Sequence, residues 1–331
     1  KVWELLRNFD ETIQQKYWER VYPSVFDLTS EDKLYVLTQL VEVKRHFIAI
    51  DTAALFKKEI PPKFIAELLK KAATEKSLDN FNTLSYWYIE ELFKILDQSN
   101  EVKSKEIAEL EWLYLPILAS VGSGRPPKTL HQELSDNPEF FAEVIRYVYK
   151  PKNKDVDEKE KELREELKQQ RAHLAWKLLN SWKTVPGSDS SGKIDYQRLK
   201  LWVERARELC KKLDRIEVAD NHIGQVLAYA LIDENGNWPP EEVCKIIDEI
   251  KSKILDEGFM VGVINKRGVV TKSLFEGGKQ ERALAAQYEK YSAKWMNKYP
   301  RTITILKKIS EFYENEAKRE DKESEKIDLD L

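Results

Sequence analysis

Residues 61–73 read PPKFIAELLKKAA, and the pattern of this stretch recurs through most of the chain. Pro62 suits the first turn of a helix, because its φ is already helical and its missing N–H would be unpaired there. Apolar residues then return every three or four positions, at Phe64, Ile65, Leu68, Leu69 and Ala72. That spacing puts them on one face, so the stretch predicts an amphipathic α-helix with one buried side.

Similar segments lie on both sides of this stretch, and the first 121 residues contain no glycine. Thr29 and Asp32 resemble a capping box in which Asp replaces the usual Glu. The run Asn137-Pro138-Glu139 combines a cap, a first-turn proline and a first-turn acid. These signals predict an all-α protein of about a dozen helices, arranged as an irregular bundle or an α-solenoid of helical repeats.

Composition limits the classes of function. The 331 residues are 42% hydrophobic and 34% charged, with a mean hydropathy of −0.58, which is typical of a soluble globular chain. Lys and Arg number 55 against 58 Asp and Glu, so a general polyanion binder is not expected. The acids concentrate in residues 311–331, and the rest of the chain is slightly basic.

Cysteine usage and hydropathy predict where the protein works. Cys210 and Cys244 have neither metal nor redox spacing, which favours a reducing, cytoplasmic location. No apolar run reaches the roughly 18 residues of a membrane span, so no membrane contact is expected. No nucleotide-binding motif occurs, and we expect no cofactor. The chain begins at Lys1 rather than at methionine, so we expect a processed product or a piece of a larger protein.

A charge run predicts the domain organisation. Residues 151–171 carry acids and bases in almost equal number, which fits either a solvated helix with i,i+4 ion pairs or a mobile linker. We therefore predict an N-terminal helical subdomain over 1–150 and a C-terminal one over 172–310. Residues 311–331 are predicted to be an acidic tail that frays.

Glycines mark one irregular stretch. Five of them fall within residues 258–278, and Phe259, Val261 and Val263 alternate with other residues as in a strand. We predict a short hairpin or an irregular packed loop there.

The same stretch ends in a candidate anion site. Gly277 and Gly278 would expose backbone N–H groups at a helix start, with basic side chains close by. The alternative is an ordinary glycine-permitted helix start with solvated bases. The candidate anion- or partner-binding residues are Arg267, Lys272, Lys279, Arg282, His222 and Trp238.

Other catalytic or metal chemistry finds little support in the sequence. The four histidines are scattered and show no zinc-binding spacing, so no metal site is predicted. Asp220 and His222 are two residues apart and invite a hydrolase pair. The alternative is that Asp220 caps a helix and His222 is a surface residue in its first turn. No nucleophile motif accompanies them, and no catalytic residue is assigned.

Several segments together resemble a known kind of protein. They are residues 125–131, 182–195, 220–224, 238–240 and 263–281. This pattern resembles the C-terminal helical region of large, mostly uncharacterised bacterial proteins found beside mobile-element and anti-phage genes. The resemblance implies a helical sensor or scaffold whose enzymatic or NTPase parts lie upstream, and it brings no catalytic residues.

Three functions remain open at this point. The first is a non-enzymatic helical scaffold or sensor domain of a larger bacterial protein, which binds a protein partner, a viral component or other domains of its own chain. The second is a nucleic-acid or phosphate-binding module centred on Arg267, Lys279 and Arg282. The third is an unrecognised hydrolase.

Overall fold

The computed structural model describes residues 2–23, 28–56, 59–74, 83–120, 122–153, 165–273 and 276–330. Over those ranges the regular structure is 17 α-helices, with one isolated bridge between Ser188 and Ile194. The predicted all-α fold is therefore confirmed. The helices divide into two units, Lys1–Leu130 and His131–Leu331. None of the described helices is both long enough and apolar enough to cross a membrane.

The helices of the first unit follow one another along the chain, and the last of them continues into the second unit. They are α1 (Val2–Leu6), α2 (Glu11–Trp18), α3 (Ser30–Glu42), α4 (His46–Phe56), α5 (Pro62–Thr74), α6 (Thr83–Asp97), α7 (Ser104–Leu113), α8 (Leu115–Leu118) and α9 (Lys128–Asp136).

Local sequence signals set several of these helices. α5 begins at Pro62, and its predicted inner residues Ile65 and Leu69 are fully buried. The capping box at the start of α3 is complete, since Thr29 and Asp32 each bond the backbone N–H of the other at 3.3–3.4 Å. The predicted helix start at Pro62 and the predicted capping box are both confirmed. The capping box can be predicted from sequence because its donors and acceptors lie within one helical turn.

A buried ionic cluster joins α6, α7 and α9. The Arg125 guanidinium lies 2.6 Å from Asp97 Oδ1 and 2.5 Å from Glu111 Oε1. Glu111 is fully buried and also accepts hydrogen bonds from the backbone N–H groups of Thr129 (3.1 Å) and Leu130 (2.8 Å). A carboxylate from α7 thus caps α9, whose first amides have no partner in their own helix.

The helices of the second unit are longer. They are α10 (Pro138–Val148), α11 (Glu165–Ser181), α12 (Tyr196–Lys212), α13 (Ile216–Leu227), α14 (Glu241–Ile250), α15 (Lys253–Arg267), α16 (Lys279–Lys294) and α17 (Pro300–Asp330). Asn137 caps α10, as predicted, and Asp195 caps α12.

Glycines bring α13 and α15 into close contact. A Cβ atom added at Gly224 would lie 2.1 Å from the Leu255 carbonyl oxygen, and one added at Gly258 would lie 2.1 Å from the Asn221 carbonyl oxygen. Gly262, one turn after Gly258, is crowded by α13 in the same way. Only residues without a side chain allow the two backbones to pack at this distance.

The predicted hairpin or irregular insertion at 258–278 is therefore wrong over its first half. Residues 258–267 belong to α15, with Phe259 and Val263 buried one turn apart and Val261 40% exposed. The alternation that suggested a strand is accidental, and the glycines serve helix packing rather than helix breaking. Within 268–278, the described residues 268–273 and 276–278 lie outside the helices.

α16 and α17 pack against each other. Their Tyr288 and Tyr313 rings stack with centroids 5.7 Å apart. Asp248 of α14 caps α17 by accepting hydrogen bonds from the N–H groups of Arg301 (2.9 Å) and Thr302 (3.1 Å). Residues 311–330 continue as helix within α17, where fraying was expected.

The division of the chain into units differs from the predicted domain boundary at residues 151–171. Contacts among the described residues divide the chain at Leu130, inside α9, and α10 packs against α11 and α12. Residues 154–164 of the predicted charged segment lie outside the described residues, and the rest of it from Glu165 is helix. The organisation into 1–150, 151–171, 172–310 and 311–331 stays a prediction.

Candidate functional site

The predicted anion site lies at the start of α16. Gly277 has φ +57°, and a Cβ added at Gly278 would lie 2.3 Å from the Ala317 carbonyl oxygen, so the glycines let α17 approach. The Gly278 N–H donates to Asp321 Oδ1 at 2.9 Å, and Asp321 also pairs with Arg282. This helix start thus holds an anion, as its free amides and dipole favour, but the anion belongs to the same chain.

Two more predicted bases are neutralised in the same region. Lys272 Nζ lies 2.8 Å from Glu281 Oε1 and 2.8 Å from Glu320 Oε2, and Arg267 pairs with Glu281. Burial would raise the pKa of Glu281, but hydrogen bonds from Lys272 and Arg267 outweigh it and hold that pKa below its usual range. Three acids balance Arg267, Lys272 and Arg282, so the cluster has little charge left for a ligand.

Of the remaining predicted residues, Trp238 and His222 do not join this cluster. Lys279 is exposed, and its charge acts on Glu276 together with that of Lys272. Trp238 is buried and contacts Tyr288, with ring centroids 5.7 Å apart. Tyr288 in turn stacks on Tyr313, and the Arg267 guanidinium lies 5.7 Å from the Tyr313 ring centroid. Two tyrosine rings therefore separate Trp238 from the ionic cluster, and its role in the structure is packing.

His222 lies in the interior of the second unit. Its Nε2 is 2.8 Å from the Tyr149 hydroxyl, and burial lowers the pKa of His222 to about 4, so it is neutral at pH 7. Both oxygens of Asp220 bind Arg207, at 2.7 and 3.2 Å. Residues two apart on a helix face different directions. In the contacts of the described residues, Asp220 and His222 accordingly have separate partners.

A basic surface that no sequence pattern indicates surrounds the loop of residues 228–238 after α13. Four exposed lysines place Nζ against this loop: Lys183, Lys193, Lys266 and Lys294. We call the loop and these four side chains the lysine-ringed loop. The lysines come from distant parts of the chain, so no run of basic residues announces them.

Aromatic rings and carbonyl groups hold most of these lysines. Lys266 Nζ lies 3.4 Å from the Ala228 carbonyl oxygen and 5.6 Å from the Trp238 ring centroid. Lys183 Nζ lies 5.5 Å from the Tyr229 ring centroid, and Lys294 donates to a loop carbonyl. Lys266 is exposed only in part, and its partial burial lowers the pKa of its ammonium group. Among the described residues, Lys193 alone of the four contacts a carboxylate.

A surface cleft of about 440 Å³ lies along α12. Its lining residues are Ser135, Asp136, Pro138, Gly187, Arg198, Leu201, Trp202 and Arg205. We call this the α12 cleft. Helical spacing shows that an apolar residue stands between two arginines on one face of α12, but it does not show that residues of α9 and α10 line the same cleft.

Other reactive groups are buried. Burial raises the pKa of the Cys210 thiol to about 12, and it also raises the pKa of the Cys244 thiol. The part of the chain that the structure describes holds no group of three metal-ligating side chains. No protein-family model, no curated protein and no solved structure matches this chain.

Proposed function

We propose that this chain is a non-enzymatic helical interaction domain that recognises a protein partner through the α12 cleft. The observation that carries the proposal is Leu201, which is 65% exposed although it lies in a cleft between Arg198 and Arg205. Apolar patches with a polar rim mark interaction surfaces, and most of the exposed lining of this cleft is apolar.

The floor of the cleft supports the same function. Trp202 is 5% exposed and packs against Phe141 and Trp182, with ring centroids 5.1 and 5.8 Å away. A rigid aromatic floor limits the entropy lost on binding, and Trp and Arg are the residues that most often dominate interface energies. The buried Trp202 Nε1 has no acceptor among the described atoms.

The arginines at the rim are available to a partner. Arg198 lies 3.5 Å from Asp136, and Arg205 lies 2.8 Å from Glu139, and all four side chains are about half exposed. Exposed ion pairs of this kind contribute little free energy, so a partner carboxylate can replace Asp136 or Glu139 at small cost. Arginine then offers its planar fork to that carboxylate.

The other functions fit the geometry less well. A phosphate at the start of α16 would have to displace Asp321 from Gly278 and Arg282. A hydrolase would need Asp220 and His222 to leave Arg207 and Tyr149. The resemblance to helical regions of bacterial proteins makes a viral component, met in anti-phage defence, our proposed class of partner.

Selection of peptides displayed on phage against the full chain tests the proposal. We expect enriched peptides whose affinity falls at least about tenfold with Leu201→Asp, since a charge there would be buried against Trp202. The matched control is Leu167→Asp, at a leucine on α11 that is 44% exposed. The proposal is wrong if no peptide is enriched, or if both variants bind the enriched peptides equally well.

A further inference from the structure

We propose that the lysine-ringed loop is a docking surface for an acidic protein segment that carries apolar side chains. The proposal takes from the proposed function only that the partner is a protein, and it concerns a surface separate from the α12 cleft.

The charge of the surface is uncompensated. Lys183, Lys266 and Lys294 contact no carboxylate in the described part of the chain, whereas Arg267, Lys272 and Arg282 all do. Since three cations lie here without counter-ions while the neighbouring cluster is neutral, an external anion gains more at the lysine-ringed loop than at the start of α16.

The two acids of the loop offset only part of the charge of the four lysines. Asp233 Oδ1 accepts hydrogen bonds from the N–H groups of Asn235 (2.9 Å) and Asn237 (2.7 Å), so this carboxylate is used to close the turn. Glu234 lies 3.2 Å from Lys193 but is 84% exposed, and such a pair contributes little. The surface therefore remains positive.

Apolar side chains lie within the same surface. Leu231 and Ile232 are each 56% exposed, although they are consecutive residues of the loop. Leu231 rests over the turn at Gly192, where an added Cβ would come 2.5 Å from Leu231 Cδ1. A partner that covers both residues removes apolar area from water while its carboxylates meet the lysines.

Nucleic acid fits this surface less well than an acidic protein segment. Phosphates would use the lysines and leave Leu231 and Ile232 exposed. Base stacking needs an open aromatic face, whereas Trp238 is buried and lysines lie over the Tyr229 ring. Two apolar side chains are also too few to hold a protein on an anionic membrane.

Fluorescence anisotropy on the full chain tests the proposal. The probe is a labelled peptide of glutamates with interspersed leucines, compared with a peptide in which serine replaces each leucine. We expect salt-dependent binding of the first peptide, weakened at least about fivefold by Lys183→Ala with Lys266→Ala. Leu231→Ser with Ile232→Ser should reduce affinity for the leucine peptide down to that for the serine peptide.

Control variants identify the surface. Lys70→Ala with Lys71→Ala removes the same charge from exposed positions in the first unit and should leave binding unchanged. An equal loss of peptide affinity in that control overturns the proposal, and so does equal affinity for the leucine and serine peptides. The proposal is also overturned if single-stranded RNA or anionic vesicles bind more tightly than the leucine peptide and still do so in the Leu231→Ser, Ile232→Ser variant. Leu201→Asp should not change this binding, so a failure here and a failure at the α12 cleft are separate results.

Discussion

At the crossing of α13 and α15, replacing a glycine by alanine has two opposing effects on stability: a gain in helix propensity and a loss from crowding of the two backbones. Gly224→Ala in an ordinary exposed helix would stabilise the protein by about 1 kcal/mol, because alanine loses less backbone entropy than glycine. Here the new Cβ would lie 2.1 Å from the Leu255 carbonyl oxygen and 2.6 Å from the Phe259 nitrogen. Both atoms belong to the backbone and cannot rotate away.

The cost follows from the separation that the methyl group requires. Non-bonded carbon contacts are optimal near 3.5 Å, so the helices must part by roughly 1 Å, which forfeits up to half of the dispersion energy of the contacts across the crossing. Overpacking costs about 1–3 kcal/mol, and rigid neighbours favour the upper end. After the gain in helix propensity, we expect a net loss of about 2 kcal/mol.

Urea denaturation followed by circular dichroism, with hydrogen exchange of peptides from α13 and α15, measures this loss. Gly224→Ala should lower the urea midpoint and speed exchange in both helices, because the perturbation lies at their crossing. The matched control is Ala286→Gly at an exposed position of α16, where glycine should be the less stable residue. A higher midpoint for Gly224→Ala would refute the close crossing.

Two further predictions concern buried titratable side chains. Glu111→Ala should lower the free energy of unfolding of the first unit by about 3–5 kcal/mol, because Arg125 loses a buried counter-ion and the start of α9 loses its cap. A urea midpoint close to that of the unchanged protein would contradict this expectation. The pKa of His222 is about 4 in the folded protein and 6.5 in the unfolded chain. Between these values the unfolded chain binds more protons than the folded protein, so stability falls as the pH drops from 6.5 to 4. That loss, about 3 kcal/mol, should be absent in His222→Gln when urea midpoints are compared at pH 7 and pH 4, and equal pH dependence of both proteins would exclude it.

Much of the fold is predictable because its signals are local. Pro62, Asn137 and Asp195 each mark a helix start, and each acts on backbone within the next turn. The prediction at Gly258 and Gly262 is wrong because the role of these glycines depends on a contact distant in sequence. These glycines resemble loop residues unless a second helix is known to cross them, and α13 supplies that helix from more than thirty residues earlier.

The candidate site divides in the same way. Its basic residues and the glycine-rich helix start could be read from the sequence, and the structure brings Arg267, Lys272 and Arg282 into one region. Their charge balance could not be read, because Glu320 and Asp321 come from a segment that composition alone assigns to a frayed tail. The lysine-ringed loop was missed because its four lysines span more than a hundred residues.

The sequence alone determined the all-α class and the starts of α3, α5 and α10, since these depend on periodicity and on hydrogen bonds within one helical turn. The tertiary structure decided which helices cross closely, which carboxylate caps which helix and which cations keep their charge. Asp321 reaches Gly278 across 43 positions, and Asp248 reaches Thr302 across 54. Such partners meet only after the helices have packed, because electrostatic and steric contacts depend on distance in space rather than along the chain.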